Sequence, residues 1–426
     1  MFKKYPGNPQ TDLLSSVNQH LDSRREQVLS DPNSWHNTFY NEIFVHIDES
    51  IFEPIYHQSM GAPNAPVNQL VAMIMIKDAM GYSDQQLFEA FRFNLLYRKA
   101  IGCVNLTDTV PTESTYYKFR SQLAAYQQTH QVDLFGQVFT KITAAQVLRF
   151  NLSGEQVRMD SKLIGSNIAD YSRFELVYAT LMKFYGGLDE QAQARMPERV
   201  ASRMQELAQK DAQSMVYQSS SDQIKEKLGE LGRLAHRLLD CYSRDENEHY
   251  KLLERMFGEQ FTLEATQGEE ADQDNIVARP AGEVSADSLQ SPHDPDCSYR
   301  CKAGEQTKGY SLNVTETIQE CEDEDEDQDQ DQLNLITDIQ LEGAHHGDTD
   351  FVEASISATE QLTGDQVETC YADGAYNRSL AREEDKELDH VEMVLSGIQG
   401  PSSRFDLRRI QRYMENQGND ALPQAG

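Results

Sequence analysis

The chain has 426 residues and a formal charge of −32, with 38 Lys and Arg against 70 Asp and Glu. This length allows two or three domains, and the charge argues against a uniformly basic nucleic-acid-binding protein. The longest apolar run is LVAMIMI, and MFKKYPGNPQTD at the N-terminus has no apolar stretch, so we expect neither a membrane span nor a signal peptide. Six scattered cysteines fit a reducing, cytoplasmic location better than a disulfide framework.

The acidic excess is distributed unevenly along the chain. Residues 320–331 read ECEDEDEDQDQD, whereas residues 1–120 contain ten Lys and Arg against thirteen Asp and Glu. Because local patches matter more than the total charge, the acidic composition weakens but does not exclude a DNA partner. The acidic run, residues 320–332, is typical of a solvated low-complexity tract.

Residues 1–130 are expected to form a helical N-terminal domain. VNQLVAMIMIKDAM is apolar on most sides, which predicts a buried helix that ends at Gly81. Ser83 and Gln86 form a capping box for a second helix, and Thr112 caps a third. Three short helices in this order are typical of a helix-turn-helix-like unit.

The third helix carries the candidate DNA contacts of this domain. Tyr116, Lys118 and Arg120 combine an aromatic ring with two positive charges, a set that suits contacts to phosphate and sugar. A solvated helix face is an equally good interpretation of the same residues.

A second predicted unit begins with the strand QVRMDSKLI, where apolar and polar residues alternate. A long helical stretch, rich in Gln, Glu, Lys and Leu, follows from Arg173 to Phe257. Residues 258–296 are polar, acidic and irregular, which predicts a linker. We therefore expect residues 173–296 to be a helical insertion with an acidic linker.

Strand patterns return after the insertion. KGYSLNVTETI and LNLITDIQL repeat apolar residues at period two, and a helix is predicted over residues 349–362, beginning near caps at Asp348 and Thr349. VETCYADGAY predicts a strand ending at Asp373, followed by a helical stretch over residues 379–388 and a last strand in HVEMVLSGI. With the insertion set aside, an antiparallel meander followed by alternating helix and strand is the order of an RNase H-like mixed sheet. The predicted fold class is α+β or α/β, with this core in residues 150–172 and 297–410.

Five segments carry a family resemblance. They are, in chain order, MDSKLIGSNIADYSRFELV, SPHDPDCSYRCKAGEQTKGYSLNVTET, LNLITDIQ, DTDFVEA and YADGAYNRS. In this order they resemble one group of bacterial insertion-sequence transposases, and PVNQLVAMIMIKDAMGYSDQQLFEAFRFNLLYRKAIG is similar to that group's helical N-terminal domain. The resemblance covers most of residues 1–410 and implies an RNase H-like core of the DDE type. It also implies DNA partners, namely terminal inverted repeats and target DNA, and a homo-oligomer on the element ends.

Two residues match the metal-binding positions of this family: Asp160 in MDSKLIG and Asp373 in YADGAY. Their implied role is catalytic, in Mg²⁺-dependent or Mn²⁺-dependent strand cleavage and transfer. Carboxylates suit it because hard cations prefer oxygen ligands, and two such ions can stabilise both the attacking and the leaving oxygen. The alternative interpretation is that Asp160 and Asp373 are ordinary exposed aspartates without a functional role.

The family's third ligand is a glutamate on a helix well beyond the last strand. Glu383, Glu384 and Glu387 come too early to match it, and Glu415 has no family motif around it. We therefore expect a C-terminally truncated, catalytically incomplete transposase. Two alternatives stay open: a non-catalytic DNA-binding remnant that acts as a competitor or repressor of transposition, and a decayed product without a selected function.

Several histidines and cysteines form weaker patterns. His293, Cys297 and Cys301 have an H-x₃-C-x₃-C spacing that could hold zinc, but no fourth ligand is evident, which favours a loop coincidence. His345 and His346 are read as surface residues.

Overall fold

The structure is a computed structural model that describes residues 1–5, 14–57, 61–242, 247–264, 275–302, 304–319, 333–376, 388 and 390–396. It is a mixed α and β protein. The α-helices are α1 (Ser23–Ser30), α2 (Trp35–Glu42), α3 (Val67–Met80), α4 (Asp84–Phe93), α5 (Leu95–Ala100), α6 (Glu113–His130), α7 (Leu134–Phe150), α8 (Arg173–Gly186), α9 (Glu190–Ala194), α10 (Glu198–Ala208), α11 (Ala212–Tyr217), α12 (Ser221–Cys241), α13 (Glu248–Gln260) and α14 (Val352–Thr363). The strands are β1 (Gln156–Gly165), β2 (Phe261–Glu264), β3 (Asn275–Ala278), β4 (Ser298–Lys302), β5 (Glu305–Thr317), β6 (Ile336–Gly343), β7 (Thr369–Asp373) and β8 (Glu392–Ser396). Short 3-10 helices occur at Val17–His20, Phe44–His46, Glu49–Ile55, Ala281–Glu283, Asp348–Phe351 and Gly374–Tyr376.

The end of α3 and the starts of α4 and α6 lie where the sequence predicts, whereas α1, α2 and α5 were not predicted. Gly81 ends α3 with a φ of 64°, in the left-handed region that glycine tolerates. Ser83 and Gln86 form the predicted capping box of α4, and the Thr112 hydroxyl accepts a hydrogen bond from the backbone N–H of Thr115 at the start of α6. The hydrophobic core of this unit continues past residue 130, because α7 packs into it.

The segment predicted as an insertion contains a helical unit with a hydrophobic core of its own, contributed by α8, α10, α12 and α13. The predicted helical stretch is confirmed as six successive helices, α8 to α13. The prediction of an irregular linker over residues 258–296 was wrong in part, because β2 and β3 form an antiparallel pair there. Their four-residue length gave too short an alternation to recognise.

A six-stranded sheet carries the candidate site. Its order is β4-β5-β1-β7-β8. Strand β6 pairs with the same edge of β5 as β4 does, but with a later part of that strand. β5 is antiparallel to β1, β4 and β6, whereas β7 is parallel to both β1 and β8. The sequence did not predict β4, because SYRCK shows no clear apolar alternation.

Helix α14 packs on one face of the sheet and forms its main hydrophobic core. Val157 and Met159 of β1 and Val352 and Ile356 of α14 are buried together there. Val157 and Met159 alternate with Arg158 and Asp160 along β1, which places Asp160 on the opposite face.

Of the two predictions for the C-terminal part, one falls on described residues and the other does not. The predicted strand in HVEMVLSGI is confirmed as β8. The predicted helix over residues 379–388 lies outside the described residues, apart from Leu388. Across the described ranges, no helix combines the length and the apolar composition that a membrane crossing requires.

Candidate carboxylate site

Asp160 lies in the middle of β1, on the sheet face opposite α14. Its cross-strand partner in β5 is Val314. Its side chain is exposed to solvent, whereas the neighbouring Met159 is buried. The strand therefore presents the Asp160 carboxylate on an accessible surface.

Asp373 is the last residue of β7, the strand parallel to β1. The register pairs Val157 with Cys370 and Arg158 with Tyr371, and the same register continued by two residues aligns Asp160 with Asp373. The recorded pairing ends at Arg158 and Tyr371, so Asp160 and Asp373 each lie two residues beyond the paired segment, on the same face of the sheet. One Asp373 carboxylate oxygen accepts a hydrogen bond of 2.8 Å from the backbone N–H of Ala375.

Burial and two neighbouring carboxylates influence the pKa of Asp160. Loss of hydration and the charge of Asp373 raise the pKa of Asp160 above its ordinary value, and the charge of Asp348 adds to the rise. The backbone N–H of Ser161 and the positive charge of Lys302 oppose the rise. Asp160 is solvent-accessible, so we attribute more of the rise to the neighbouring charges than to burial. A bound cation would relieve the repulsion between these carboxylates.

Asp348, which sequence reasoning read as a helix cap, is buried against Ser161 on the α14 face of the sheet, opposite to Asp160. Its side chain is only 3% exposed, and it accepts a hydrogen bond of 2.7 Å from the Ser161 hydroxyl. Arg300 and Lys302 each lie 3.6 Å from one of its oxygens. The cap of this turn is instead supplied by Asp350, which accepts from the backbone N–H of Gly347. Only the folded structure reveals these contacts of Asp348, since its partners Ser161, Arg300 and Lys302 are remote from it in sequence.

A buried polar network lies beneath the site, between β5 and α14. The hydroxyl of Tyr376 donates a hydrogen bond of 2.7 Å to Oδ1 of Asn313, and Asn313 donates one of 3.0 Å to the hydroxyl of Ser355. Burial raises the pKa of Tyr376, and the negative charges of the nearby aspartates add to the rise. The network fixes the turn Gly374–Tyr376 that follows Asp373.

The three candidate DNA contacts of α6 differ in accessibility. Tyr116 is completely buried, so its predicted contact with DNA was wrong, because the ring packs against Phe88 inside the core. Lys118 and Arg120 are exposed, and the Arg120 guanidinium lies 5.6 Å from the centre of the Tyr116 ring. The helical pattern did not indicate which aromatic residue of α6 faces inward.

The neighbouring cations of the N-terminal unit are largely neutralised. Lys77 lies 2.6 Å from Asp84, and Arg92 lies 2.8 Å from Glu113. Within the described parts of the chain, Lys118 forms no ion pair, and it lines a groove of about 810 Å³ between α6 and the preceding loops. Lys118 is therefore the cation of α6 best placed to contact an external anion.

The remaining metal-ligand candidates are not brought together. Cys297 is buried and Cys301 is exposed, and the described residues contain no group of three or more His, Cys, Asp or Glu side chains that could hold a metal ion. His345 shares a hydrogen bond of 2.9 Å with the Ser298 hydroxyl, and His346 lies 3.6 Å from Asp350. Glu415 lies outside the described residues.

Comparisons with known proteins address the N-terminal unit. The family model described as Transposase domain (DUF772) matches residues 9–122. No curated protein and no solved structure matches the chain. The matched residues contain α3, α4 and α5 and more than half of α6. This match supports a transposase family for the chain.

Proposed function

We propose that this chain is a transposase of a bacterial insertion sequence, with an RNase H-like core of the DDE type. The observation that supports the proposal is that Asp160 and Asp373 lie on adjacent parallel strands, on one face, each two residues beyond the last recorded pair, Arg158 and Tyr371. The strand order β6-β5-β1-β7-β8, with an antiparallel first part and a parallel second part, supports the same proposal. The transposase-domain match in residues 9–122 supports it independently.

Asp160 and Asp373 would hold Mg²⁺ or Mn²⁺. Both side chains offer the hard oxygen atoms that these ions prefer. Burial and, after it, the negative charge of Asp373 raise the pKa of Asp160, and a divalent cation would offset the repulsion between the two carboxylates. When bound, the ion supplies charge stabilisation at the phosphorus centre of the DNA strand. The chain's own contribution is to hold the two carboxylates at fixed positions of a sheet.

A direct test measures Mn²⁺ binding to the full chain by electron paramagnetic resonance. We expect Asp160→Asn and Asp373→Asn each to weaken binding at least tenfold, because each removes a charged ligand. Asp222→Asn is the control, since Asp222 is a fully exposed carboxylate of α12. Equal Mn²⁺ affinity in all three variants would refute the metal site.

We further propose that the chain binds element ends without efficient strand cleavage. The described residues provide two carboxylates at the site, while the nearby Asp348 is engaged by Ser161 and two cations. An ion held by these two carboxylates alone would be poorly positioned, and displacements near 1 Å can cost about 10²-fold in rate. Robust cleavage of the element's flanking DNA by the purified chain would overturn this point. Loss of that cleavage in Glu415→Gln would identify the missing ligand.

The second candidate function is a non-catalytic DNA-binding protein that competes with or represses an active transposase. The exposed side chains of Lys118 and Arg120 favour it, since neither forms an ion pair within the described parts of the chain. Terminal inverted repeats and target DNA are the proposed partners, with a homo-oligomer on the ends. Substituting both residues by Ala should flatten the salt dependence of end binding, because phosphate contacts release counterions. Unchanged salt dependence would exclude α6 from the interface.

A further inference from the structure

A groove with a volume of about 810 Å³ runs along helix α6 in the N-terminal unit. Its lining includes Thr115, Lys118 and Gln122, which are three and four residues apart and therefore share one face of the helix. The lining also includes Tyr5 and residues 61–66. The groove therefore lies between a polar face of α6 and the segments that precede this helix in the chain.

Hydrogen bonds hold the first residues of the chain at this groove. The side chain of Asn64 accepts a hydrogen bond of 2.6 Å from the backbone N–H of Lys3 and donates one of 3.1 Å to the backbone carbonyl of Lys3. The backbone N–H of Tyr5 donates a hydrogen bond of 2.7 Å to a carboxylate oxygen of Glu49. The Tyr5 side chain itself is 39% exposed. The backbone of Tyr5 is therefore fixed, while its ring remains accessible at the groove.

The charge of the groove contrasts with that of the whole chain. About one residue in six of the sequence is Asp or Glu, yet none of the described residues that line the groove is either of these. Lys118 is exposed and forms no ion pair within the described parts of the chain. An anion that enters the groove therefore meets the Lys118 ammonium, which offers charge-assisted hydrogen bonds, and no carboxylate of the lining.

We propose that this groove binds single-stranded DNA, with Lys118 at a phosphate and the Tyr5 ring stacked on a base. Proteins that bind single strands of any sequence combine positive charge along the backbone with aromatic rings on which bases stack. Concave sites of about 300–1,000 Å³ enclose small ligands, which suits a few unpaired nucleotides better than the convex surface of a duplex. This inference rests on the proposed function, since it names the form of DNA that the N-terminal unit takes.

The test uses fluorescence anisotropy to compare binding of the full chain, without divalent metal, to a labelled strand of about 16 nucleotides and to its duplex. The single strand should bind more tightly. Tyr5→Ala should weaken its binding by about fivefold to a hundredfold, because a stacked base is lost, whereas Tyr5→Phe retains the ring and the affinity. Lys118→Ala should make the slope of log K against log salt shallower by about 0.7, the value for one phosphate contact of a single strand.

Tyr217→Ala and Lys225→Ala are the matched controls. Tyr217 is an exposed tyrosine at the end of α11, and Lys225 is an exposed lysine of α12; neither lines the groove. Both variants should bind the single strand with the affinity and the salt dependence of the unsubstituted chain. If Lys118→Ala lowers the melting temperature by several degrees, Lys118→Gln, which retains most of the side-chain length, takes its place.

The outcomes separate this inference from the proposal on which it rests. Salt-sensitive binding of the duplex without tighter binding of the single strand would overturn the groove alone, as would single-strand binding that is unchanged in Tyr5→Ala and Lys118→Ala. Equal competition by an oligoglutamate peptide of the same charge would indicate a general polyanion site and overturn the assignment to DNA. Absence of salt-sensitive binding to either form would overturn both the groove and the proposed DNA partner.

Discussion

Gly309 and Gly165 face each other across the β1–β5 pair, yet a methyl group should be tolerated at only one of them. A Cβ atom on Gly309 would lie 2.0 Å from the carbonyl oxygen of Ile164 and 2.7 Å from the backbone nitrogen of Ser166. Carbon–oxygen contacts between strands are normally about 3.3–3.6 Å, so the two backbones would have to separate by roughly 1.3 Å. A Cβ atom on Gly165 would meet no heavy atom within 4 Å.

We therefore expect Gly309→Ala to lower the free energy of unfolding by about 3 kcal/mol, at the upper end of overpacking costs, because backbone atoms cannot rotate away. Gly165→Ala should stay within about 0.5 kcal/mol of the unsubstituted chain. Urea denaturation followed by circular dichroism measures both, with the difference appearing in the midpoint and not in the slope. Equal midpoints for the two variants would refute the close approach of β1 and β5 at Gly309.

Three further predictions concern buried hydroxyls and titrating carboxylates. Tyr376→Phe should cost about 1–3 kcal/mol because it leaves Oδ1 of Asn313 buried without its donor. Tyr116→Phe should be neutral or stabilising, because the Tyr116 hydroxyl has no hydrogen-bond partner among the described residues; thermal melts compare the two variants. The pKa of Asp160 in the folded chain lies above the ordinary 3.8, so Asp160→Asn should stabilise the metal-free chain at pH 7, and this gain in stability should vanish as the pH falls below 3.8. A difference in urea midpoint between the variant and the unsubstituted chain that stays constant over this range would contradict the prediction. A hydrogen bond from Lys141 lowers the pKa of Asp48, so Asp48→Asn should destabilise the chain at pH 7, and this loss of stability should diminish as the pH falls below 3.8. A difference in the free energy of unfolding that is the same at pH 7 and pH 3 would refute the prediction.

Local signals in the sequence were sufficient for the element boundaries that depend on neighbouring residues. The Ser83 and Gln86 box, the Gly81 stop and the Thr112 cap each act within one helical turn, and the structure contains all three. The alternation in QVRMDSKLI likewise predicted β1, because side chains of a strand point to opposite faces in turn. Short strands with few apolar residues, such as β2 and β4, gave no comparable pattern.

The sequence by itself determined the helical N-terminal unit, the main strands and the two candidate ligands, Asp160 and Asp373. Only the tertiary structure decided that Tyr116 faces the core, since an exposed and a buried tyrosine look alike in a helical sequence. Only the tertiary structure brought Asp348 into contact with Ser161, Arg300 and Lys302, because strand pairing and the packing of α14 join segments that are remote along the chain. Capping and alternation are local interactions, whereas register and the charge around a carboxylate depend on contacts between distant segments.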